Sequence, residues 1–310
     1  MTATRKLPRS LLWFLPVLCL IPLAFVPLPL FVLGFLLLVP TVALNAGFLS
    51  LGIEAWRARI SRLWILAPAI WFGGYASLVV ISNLEIARLD EQFRLANAGI
   101  KVAFDPTRED LVIIGGRTGN RYVGPDTLVQ SFDLPVVYSR EGQPQRHLAY
   151  RLGGGDTCQQ YKNDRSRMVE YSSIYERRKP ALDDLCLYAL AENPANPAVT
   201  IEIKQRSVDD LYAPRWEIDA LIVDSANERH ILRSGITSEL RWIPIPSVGT
   251  LQIVGLFVRQ EGPPFLRGPA KMLGAQGEDA GDAIRGLIGQ TLGFTPKRAI
   301  DRRETLNATP

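Results

Sequence analysis

The chain has 310 residues, of which 47% are hydrophobic and 21% charged, and its formal net charge at pH 7 is +4. The positive excess is confined to the first 62 residues, which hold six Lys or Arg and one acid, whereas the rest of the chain holds 29 basic and 30 acidic residues. A nearly neutral remainder offers no basic surface for phosphate groups, so the composition excludes a nucleic-acid-binding protein.

A run of 43 residues without a charged side chain, from Leu11 to Ile53, dominates the N-terminal part. Roughly 20 apolar residues in a helix cross a hydrocarbon core about 30 Å thick, so this run is long enough for two spans. Pro27 and Pro29 mark the point of reversal because proline breaks a helix. A second charge-free run of 22 residues, Leu63 to Leu84, supplies a third span. The sequence therefore predicts a three-span anchor over residues 1–84, with helices at about 10–26, 30–52 and 63–84.

The alternative for the first run is a cleaved signal peptide followed by a buried core helix. A signal peptide has a shorter apolar centre, and the polar segment that should follow cleavage is missing here. The length of the run therefore favours membrane spans.

Basic residues flank the predicted spans on one side only. The positive-inside rule places such residues in the cytoplasm, and an odd number of spans then carries the rest of the chain across the membrane. We therefore expect a multi-pass protein of the plasma (inner) membrane, with a cytoplasmic N-terminus and a large extracytoplasmic C-terminal part, periplasmic in a Gram-negative cell. If the first run were re-entrant, the large part would be cytoplasmic. The residues that determine the orientation are Arg5, Lys6, Arg9, Arg57, Arg59 and Arg62.

Cys158 and Cys186 are the only cysteines outside the predicted anchor, since Cys19 lies in the first span. An even pair in an oxidising compartment indicates a disulfide, and closing a loop of about 28 residues stabilises a fold by roughly 3–4 kcal/mol. Two buried free thiols are the alternative. A zinc site needs about four ligands, and His147 and His230 are the only histidines, so no metal and no cofactor are predicted.

The polar part is predicted to begin with a juxtamembrane helix over residues 85–99 that ends at Gly99, followed by an α+β extracytoplasmic domain over residues 100–262. A further helix is predicted from Asp164 to Lys179, between the two cysteines, and another from Asp279 to Leu292. Residues 263–310 form a Gly/Pro-rich tail that is predicted to be partly disordered, mainly after Gly293. Strands are predicted at Val102–Phe104, Leu111–Ile114, Leu134–Tyr138, Val199–Ile203, Trp216–Val223, His230–Arg233 and Leu251–Val258.

The expected fold is thus a membrane-anchored α+β protein, in which three N-terminal transmembrane helices precede a β-dominated extracytoplasmic domain. Within that domain Leu251–Val258 is nearly all apolar, which predicts a central strand buried on both faces. Trp216–Val223 and His230–Arg233 flank a polar segment and predict a hairpin with a long loop.

The polar part contains no sequence motif that assigns a chemical reaction. Gly115–Gly119 lacks the ending of a phosphate-binding loop and predicts a tight turn. Three adjacent acid pairs predict solvated turns or caps, because neighbouring carboxylates rarely face each other across a cleft. These pairs are Glu109-Asp110, Asp183-Asp184 and Asp209-Asp210. Neither histidine has a nucleophile in a recognised sequence context, so no catalytic residue is assigned.

Two functions remain open. The first is a non-catalytic, membrane-anchored extracytoplasmic subunit or accessory factor of an envelope assembly, whose partners are the lipid bilayer and a membrane or envelope protein. The second is a membrane-tethered enzyme acting on an envelope polymer or peptide, with Asp156, Asp183 or Asp184 near the cysteine loop. Acids gathered in one concave pocket favour the enzyme, whereas an exposed apolar patch or an open sheet edge favours the partner-binding protein.

Overall fold

The computed structural model describes residues 8–16, 30–114, 123–141, 146–163, 170–175, 181–210, 212–245, 250–254, 257–261, 267–275, 280–302 and 306. The chain divides into two compact units. The helical unit comprises Met1–Ala87, Asp209–Pro214 and Ser238–Lys271, and the sheet unit comprises Arg88–Val208, Arg215–Thr237 and Met272–Pro310. After its first segment the chain therefore returns to the helical unit twice.

Helices account for most of the first hundred residues, and strands for most of the rest. The α-helices are α1 (Leu30–Trp56), α2 (Arg62–Asn97), α3 (Pro125–Ser131), α4 (Gly155–Asn163) and α5 (Ala280–Leu292), and short 3-10 helices lie at Arg9–Phe14 and Ala299–Arg302. The strands are β1 (Asp110–Ile114), β2 (Val137–Glu141), β3 (Arg146–Gly154), β4 (Glu170–Tyr175), β5 (Ala181–Ala191), β6 (Ala198–Val208), β7 (Arg215–Val223), β8 (Arg229–Leu240), β9 (Thr250–Val254), β10 (Phe257–Glu261) and β11 (Arg267–Leu273). Within α2, the first turn is 3-10 and Ala69–Gly73 is a π-helical turn just after Pro68, which cannot donate a backbone hydrogen bond.

Nine strands form one mixed sheet in the order β11-β8-β7-β6-β1-β2-β3-β5-β4. The strand β1 is parallel to both of its neighbours, β2 and β6. The pairings from β2 to β4 and from β6 to β8 are antiparallel. This large sheet with several helices supports the predicted α+β class.

The main core of the sheet unit lies between the sheet and the helices α3 and α5. Leu111 and Ile113 of β1 face this core, together with Leu128 of α3 and Ile288 of α5. Val112 points to the opposite face and packs with a smaller apolar cluster. Because successive side chains of a strand alternate between faces, β1 is buried on both sides and reads as a continuous apolar run.

Several predicted elements are confirmed. The strands at Leu111–Ile114 and Val199–Ile203 appear as β1 and β6, β7 and β8 form the predicted hairpin, and α5 matches the last predicted helix within one residue. The strand predicted from Leu134 begins later, at Val137, because Pro135 cannot donate to a ladder. Val102–Phe104 is not a strand, and the Val102 amide instead donates to the Thr291 carbonyl at 2.9 Å.

The helix predicted from Asp164 to Lys179 is wrong over the part that the structure describes. Glu170–Tyr175 is the edge strand β4, paired with β5. Tyr, Ile and Ser in this segment suit a pleated strand, and pairing with β5 outweighs the weak helical spacing. The helix of this region comes earlier, as α4, which begins at Gly155 directly after β3.

The central strand predicted at Leu251–Val258 is also wrong. This stretch is divided between β9 and β10, which pair only with each other as an antiparallel hairpin outside the nine-stranded sheet. The segment belongs to the helical unit. Its apolar composition therefore needs an explanation other than burial inside a sheet.

The tail contains more structure than its composition predicts. Residues 267–275 and 280–302 include β11, α5 and a 3-10 helix. Beyond Gly293, the Arg302 side chain is buried and donates hydrogen bonds to the carbonyls of Val129, Phe132 and Leu134 at 3.0 to 3.1 Å. Expected disorder in residues 294–302 is therefore incorrect, because a buried guanidinium holds this segment to the end of α3.

Three spans are not supported by the described residues. Among them one helix, α2, is long and apolar enough to cross a membrane by length and composition. The first predicted span, 10–26, lies largely outside the described residues, and α1 covers the second. The structure thus supports one candidate span, which continues without a break into the predicted juxtamembrane region.

Candidate functional site: the apolar surface of the helical unit

Large hydrophobic side chains are exposed mainly on the helical unit. Among the described residues, all but three of the exposed large hydrophobic side chains belong to it. A soluble surface rarely exposes so many apolar side chains in one region, and such a region marks a contact with a membrane or another protein. The most exposed members are Leu12, Leu49, Trp56, Leu63, Ile70, Leu84, Trp242 and Ile243.

The helix α2 has two different faces within this unit. One face is buried at Tyr75, Val79, Ser82 and Ile86, which follow each other at spacings of four, three and four residues. The opposite face exposes apolar side chains up to Leu84, after which the exposed positions are mostly charged or small. This arrangement fits a helix that packs on protein along one face and meets an apolar medium along the other. The exposed large apolar side chains of α2 up to this point are Leu63, Trp64, Ile65, Leu66, Ile70, Val80, Ile81 and Leu84, and Leu95 is exposed further along.

The helices α1 and α2 pack against each other near the link that joins them. Phe48 of α1 stacks on Trp71 of α2 with ring centroids 4.9 Å apart, and Phe14 meets Phe48 edge-on at 5.1 Å. The backbone N–H of Ser10 donates to the Glu54 carboxylate at 3.2 Å, and its hydroxyl donates to the same group at 3.4 Å. The beginning of the first predicted span, the end of α1 and the beginning of α2 therefore lie close together.

Asn45 is a polar residue inside the apolar helix α1, and its side chain has three partners. Its Nδ2 donates to the Thr41 carbonyl at 2.8 Å and to the Pro244 carbonyl at 2.9 Å, and its Oδ1 accepts from the Trp71 indole at 3.2 Å. A partly buried amide is tolerated in apolar surroundings only when its hydrogen-bonding groups are satisfied, and Asn45 is partly buried. Asn45 thus joins α1, α2 and the returning segment Ser238–Lys271.

The predicted orientation residues that the structure describes are exposed. These are Arg9, Arg57, Arg59 and Arg62, whereas Arg5 and Lys6 lie outside the described residues. Ala58, with φ of 55°, turns the chain in the short link between α1 and α2. Three of these arginines therefore lie in or next to one tight link.

The residues that the structure describes line at least two clefts. The first, about 490 Å³, lies in the helical unit between α1 and α2 and is lined by apolar side chains that include Phe48, Ile70 and Leu78. The second, about 430 Å³, lies in the sheet unit, where the Asp90 carboxylate accepts from the Gly274 amide at 2.8 Å. Neither cleft is lined by Asp156, Asp183 or Asp184.

Cys158 and Cys186 lie at disulfide distance, with sulphurs 2.16 Å apart and Cα atoms 5.7 Å apart. The sequence prediction that these two cysteines pair is therefore confirmed by their distance. Gly153 pairs with Cys186 across β3 and β5. A Cβ atom at Gly153 would lie only 3.1 Å from the Cys186 sulphur, which explains the glycine at this position. The cysteine pair thus joins the first half of α4 to β5, beside the strand that leads into α4.

The acidic candidates do not form a site. Asp156 is exposed in the first turn of α4, and Asp183 and Asp184 lie in β5 where its register against β4 shifts. Asp110 is buried, and its carboxylate accepts from the amides of Ala195 and Asn196 at 2.8 Å. Asp210 likewise accepts from the Tyr212 amide at 2.9 Å. These last two acids hold loops through backbone amides, but Asp110 is buried and not solvated as predicted.

One group in the described residues has the composition of a metal site: Asp224, Glu228 and His230 in the loop and first residues of the β7–β8 hairpin. Its Asp224 carboxylate accepts from the Glu228 amide at 2.8 Å and lies 3.7 Å from the His230 ring. Asn227 adopts φ of 67°, which the tight turn requires. These contacts explain why the three side chains lie close together: they belong to one hairpin turn. His147, the other histidine, is paired with Asn193 at 3.2 Å on the surface.

Sequence reasoning missed Asn45, Tyr75 and the segment that follows Arg241. The signal for the segment was present: Trp242–Val258 is a stretch of 17 residues without a charge, between Arg241 and Arg259. Its prolines and glycines concealed it, because they argue against a helix. Asn45 and Tyr75 lie in runs that were identified only by their lack of charged residues. Their polar side chains were therefore overlooked.

Comparison of the chain with protein-family models, with curated proteins and with solved structures gives no match.

Proposed function

We propose that the protein is a non-catalytic, membrane-anchored subunit or accessory factor of an envelope assembly, with its sheet unit on the extracytoplasmic side. The observation that carries the proposal is the concentration of exposed apolar side chains on the helical unit. Such a surface is stable against lipid and unfavourable in water. A membrane anchor that carries a large mixed sheet is suited to holding partners at the membrane.

The anchor consists of three spans in this proposal. The hydrogen bonds between Ser10 and Glu54 and the stacking of Phe48 on Trp71 support it, because they bring the three basic-flanked ends of the predicted spans together. An antiparallel arrangement of three helices requires such a meeting of ends. The exposed arginines Arg9, Arg57 and Arg62 then mark the cytoplasmic side.

The partner-binding element is the edge strand β4. It is the last strand on one side of the sheet, and no strand of the described chain pairs with its outer edge. The backbone groups of an edge strand can pair with an extended segment of another protein. The enzyme alternative lacks comparable support, because the described clefts contain none of its three candidate acids.

Co-purification from native membranes tests the proposal. Tagged full-length protein is extracted in mild detergent, and its companions are quantified by mass spectrometry. We expect a stoichiometric companion with the wild-type protein and its loss with Ser172→Lys, because a lysine on an edge strand opposes strand addition. The matched control is Ser207→Lys, an exposed serine of the interior strand β6, which should retain the companion.

The outcomes separate the two functions. Equal recovery with both variants contradicts the use of β4, and the absence of any companion in cross-linked native membranes contradicts a subunit. Turnover of an envelope polymer that disappears with Asp156→Ala establishes the enzyme instead.

A further inference from the structure

The charge-free segment Trp242–Val258 is packed in the helical unit although it lies far from the predicted spans in sequence. Its apolar composition is unexplained by the nine-stranded sheet, which it does not join. Within the helical unit its beginning, from Arg241 to Pro244, lies beside the two helices that carry the exposed apolar surface. Its neighbours in space are therefore the proposed membrane spans.

Two hydrogen bonds fix where the segment lies along α2. The Tyr75 hydroxyl donates to the Arg241 carbonyl at 2.6 Å, and Asn45, which also holds Trp71, donates to the Pro244 carbonyl at 2.9 Å. Between Arg241 and Pro244 the chain thus moves from the level of Tyr75 to that of Trp71, about 6 Å towards the Arg62 end of the helix at 1.5 Å per residue. Residues 241–244 therefore run in the direction of the proposed cytoplasmic end.

The depth of this contact is within the proposed span. Tyr75 follows Arg62 by thirteen residues, which corresponds to about 20 Å of helix, whereas a span needs about 30 Å. At this depth Trp242 is 72% exposed and Ile243 is 63% exposed. Two large apolar side chains therefore point outwards at the level of the hydrocarbon layer. The exposed side chain of Arg241 is long enough to extend its charge towards the outer surface.

The backbone of the segment is suited to such an environment. Irregular backbone at membrane depth is tolerated only where its polar groups find partners in protein. The carbonyls of Arg241 and Pro244 have side-chain donors, and Pro244 has no N–H group that requires an acceptor. Further along, β9 and β10 pair with each other and satisfy part of their backbone in the same way.

We propose that the chain forms a re-entrant segment after Arg241. Residues 242–245 enter the hydrocarbon layer beside α2, with lipid acyl chains against Trp242 and Ile243, and the chain returns to the side from which it came, because the Arg267 guanidinium donates to the Ser238 carbonyl at 2.9 Å. This inference rests on the proposed membrane anchoring. It gives the anchor a fourth element, contributed by the chain after it has already built most of the sheet.

Quenching by lipid-attached nitroxides tests the inference. Single cysteines are introduced into the Cys19→Ser protein, with Cys158 and Cys186 kept paired, and each is labelled with an environment-sensitive fluorophore. The positions are Ile243→Cys in the segment, Ile70→Cys on the exposed face of α2 and Ile231→Cys on the exposed surface of β8. The full-length protein is reconstituted into phosphatidylcholine vesicles with nitroxides on the acyl chains.

We expect the same loss of emission at position 243 as at position 70, and no loss at position 231. Loss at position 70 without loss at position 243 overturns the re-entrant segment and leaves the anchor intact. No loss at either position overturns both. If the Ile243→Cys protein does not elute as a single species, Trp242→Cys replaces it, because that side chain is the more exposed of the two.

Discussion

Glu217 is a buried acid whose charge is balanced by two arginines of the sheet unit. Its carboxylate accepts from the Arg215 guanidinium at 2.7 Å and also from Arg206, which lies opposite it on the neighbouring strand. Burial by itself raises the pKa of Glu217, but the hydrogen bonds from Arg215 and Arg206 outweigh it and hold the pKa below its ordinary value of 4.5. A group with a lowered pKa stabilises the fold at pH values above the unfolded pKa, and this contribution is lost as the pH falls through the folded pKa.

We therefore expect Glu217→Gln to lower stability at pH 7 and to flatten the loss of stability below pH 4.5. The reason is that glutamine cannot lose a charge on acidification. Urea unfolding of the detergent-solubilised protein between pH 7 and pH 3 measures the effect. Glu202→Gln, at a more exposed acid beside Lys204, should leave the acid slope unchanged. An unchanged slope in Glu217→Gln contradicts the assignment.

Single residues also show where sequence reasoning fails. Arg302 reads as part of a polar tail, yet it is buried against carbonyls that lie 168 to 173 residues earlier in the chain. Nothing near Arg302 in the sequence indicates these acceptors. Asp110 was predicted to lie in a solvated turn or cap, but it is buried at the start of β1, where its carboxylate accepts from the amides of Ala195 and Asn196.

At the scale of elements, segments with a regular apolar period were predictable, whereas segments whose pattern fits more than one structure were not. The strand β6 and the helix α5 have clear apolar periodicity, and each folds as its period indicates. The apolar residues of Glu170–Tyr175 fit a helix or a strand equally well. Pairing with β5 determines that the segment forms a strand. The hairpin of β9 and β10 was misread because a charge-free stretch can form one central strand or a separate hairpin, and its composition is the same in both cases.

The cysteine pair links two of these elements, and its removal has a predictable cost. Replacing Cys158 and Cys186 together by Ser should lower the free energy of unfolding by about 2–4 kcal/mol, because the link restricts the unfolded chain. Membrane insertion should be unaffected, since the spans decide it. Urea unfolding gives the stability, and Cys19→Ser is the control. Alkylation of both thiols in carefully extracted, unreduced protein would contradict the pairing.

At the scale of the whole molecule, charge and hydropathy predicted the long apolar helices of the helical unit but not the later segment that returns to them. The uncharged runs locate α1 and α2, because a long apolar helix can be predicted from its own residues without knowing what it packs against. The return of Ser238–Lys271 to the helical unit depends on contacts such as that between Asn45 and Pro244, across 199 residues. Such contacts are set by tertiary packing, which one sequence does not reveal.

The orientation of the molecule is the prediction on which its compartment depends. A reporter active only outside the cytoplasm should be active when fused after Asn307 and inactive when fused at Ser61, because three spans separate the two sides. Neutralising Arg57, Arg59 and Arg62 together should yield a mixed orientation, since these charges oppose transfer across the membrane. Neutralising Arg94, Arg108 and Arg298, which are exposed on the sheet unit, should leave the orientation unchanged. An inactive reporter after Asn307 contradicts the three-span arrangement and places the sheet unit, with its cysteine pair, in the reducing cytoplasm, where a disulfide is not expected to persist.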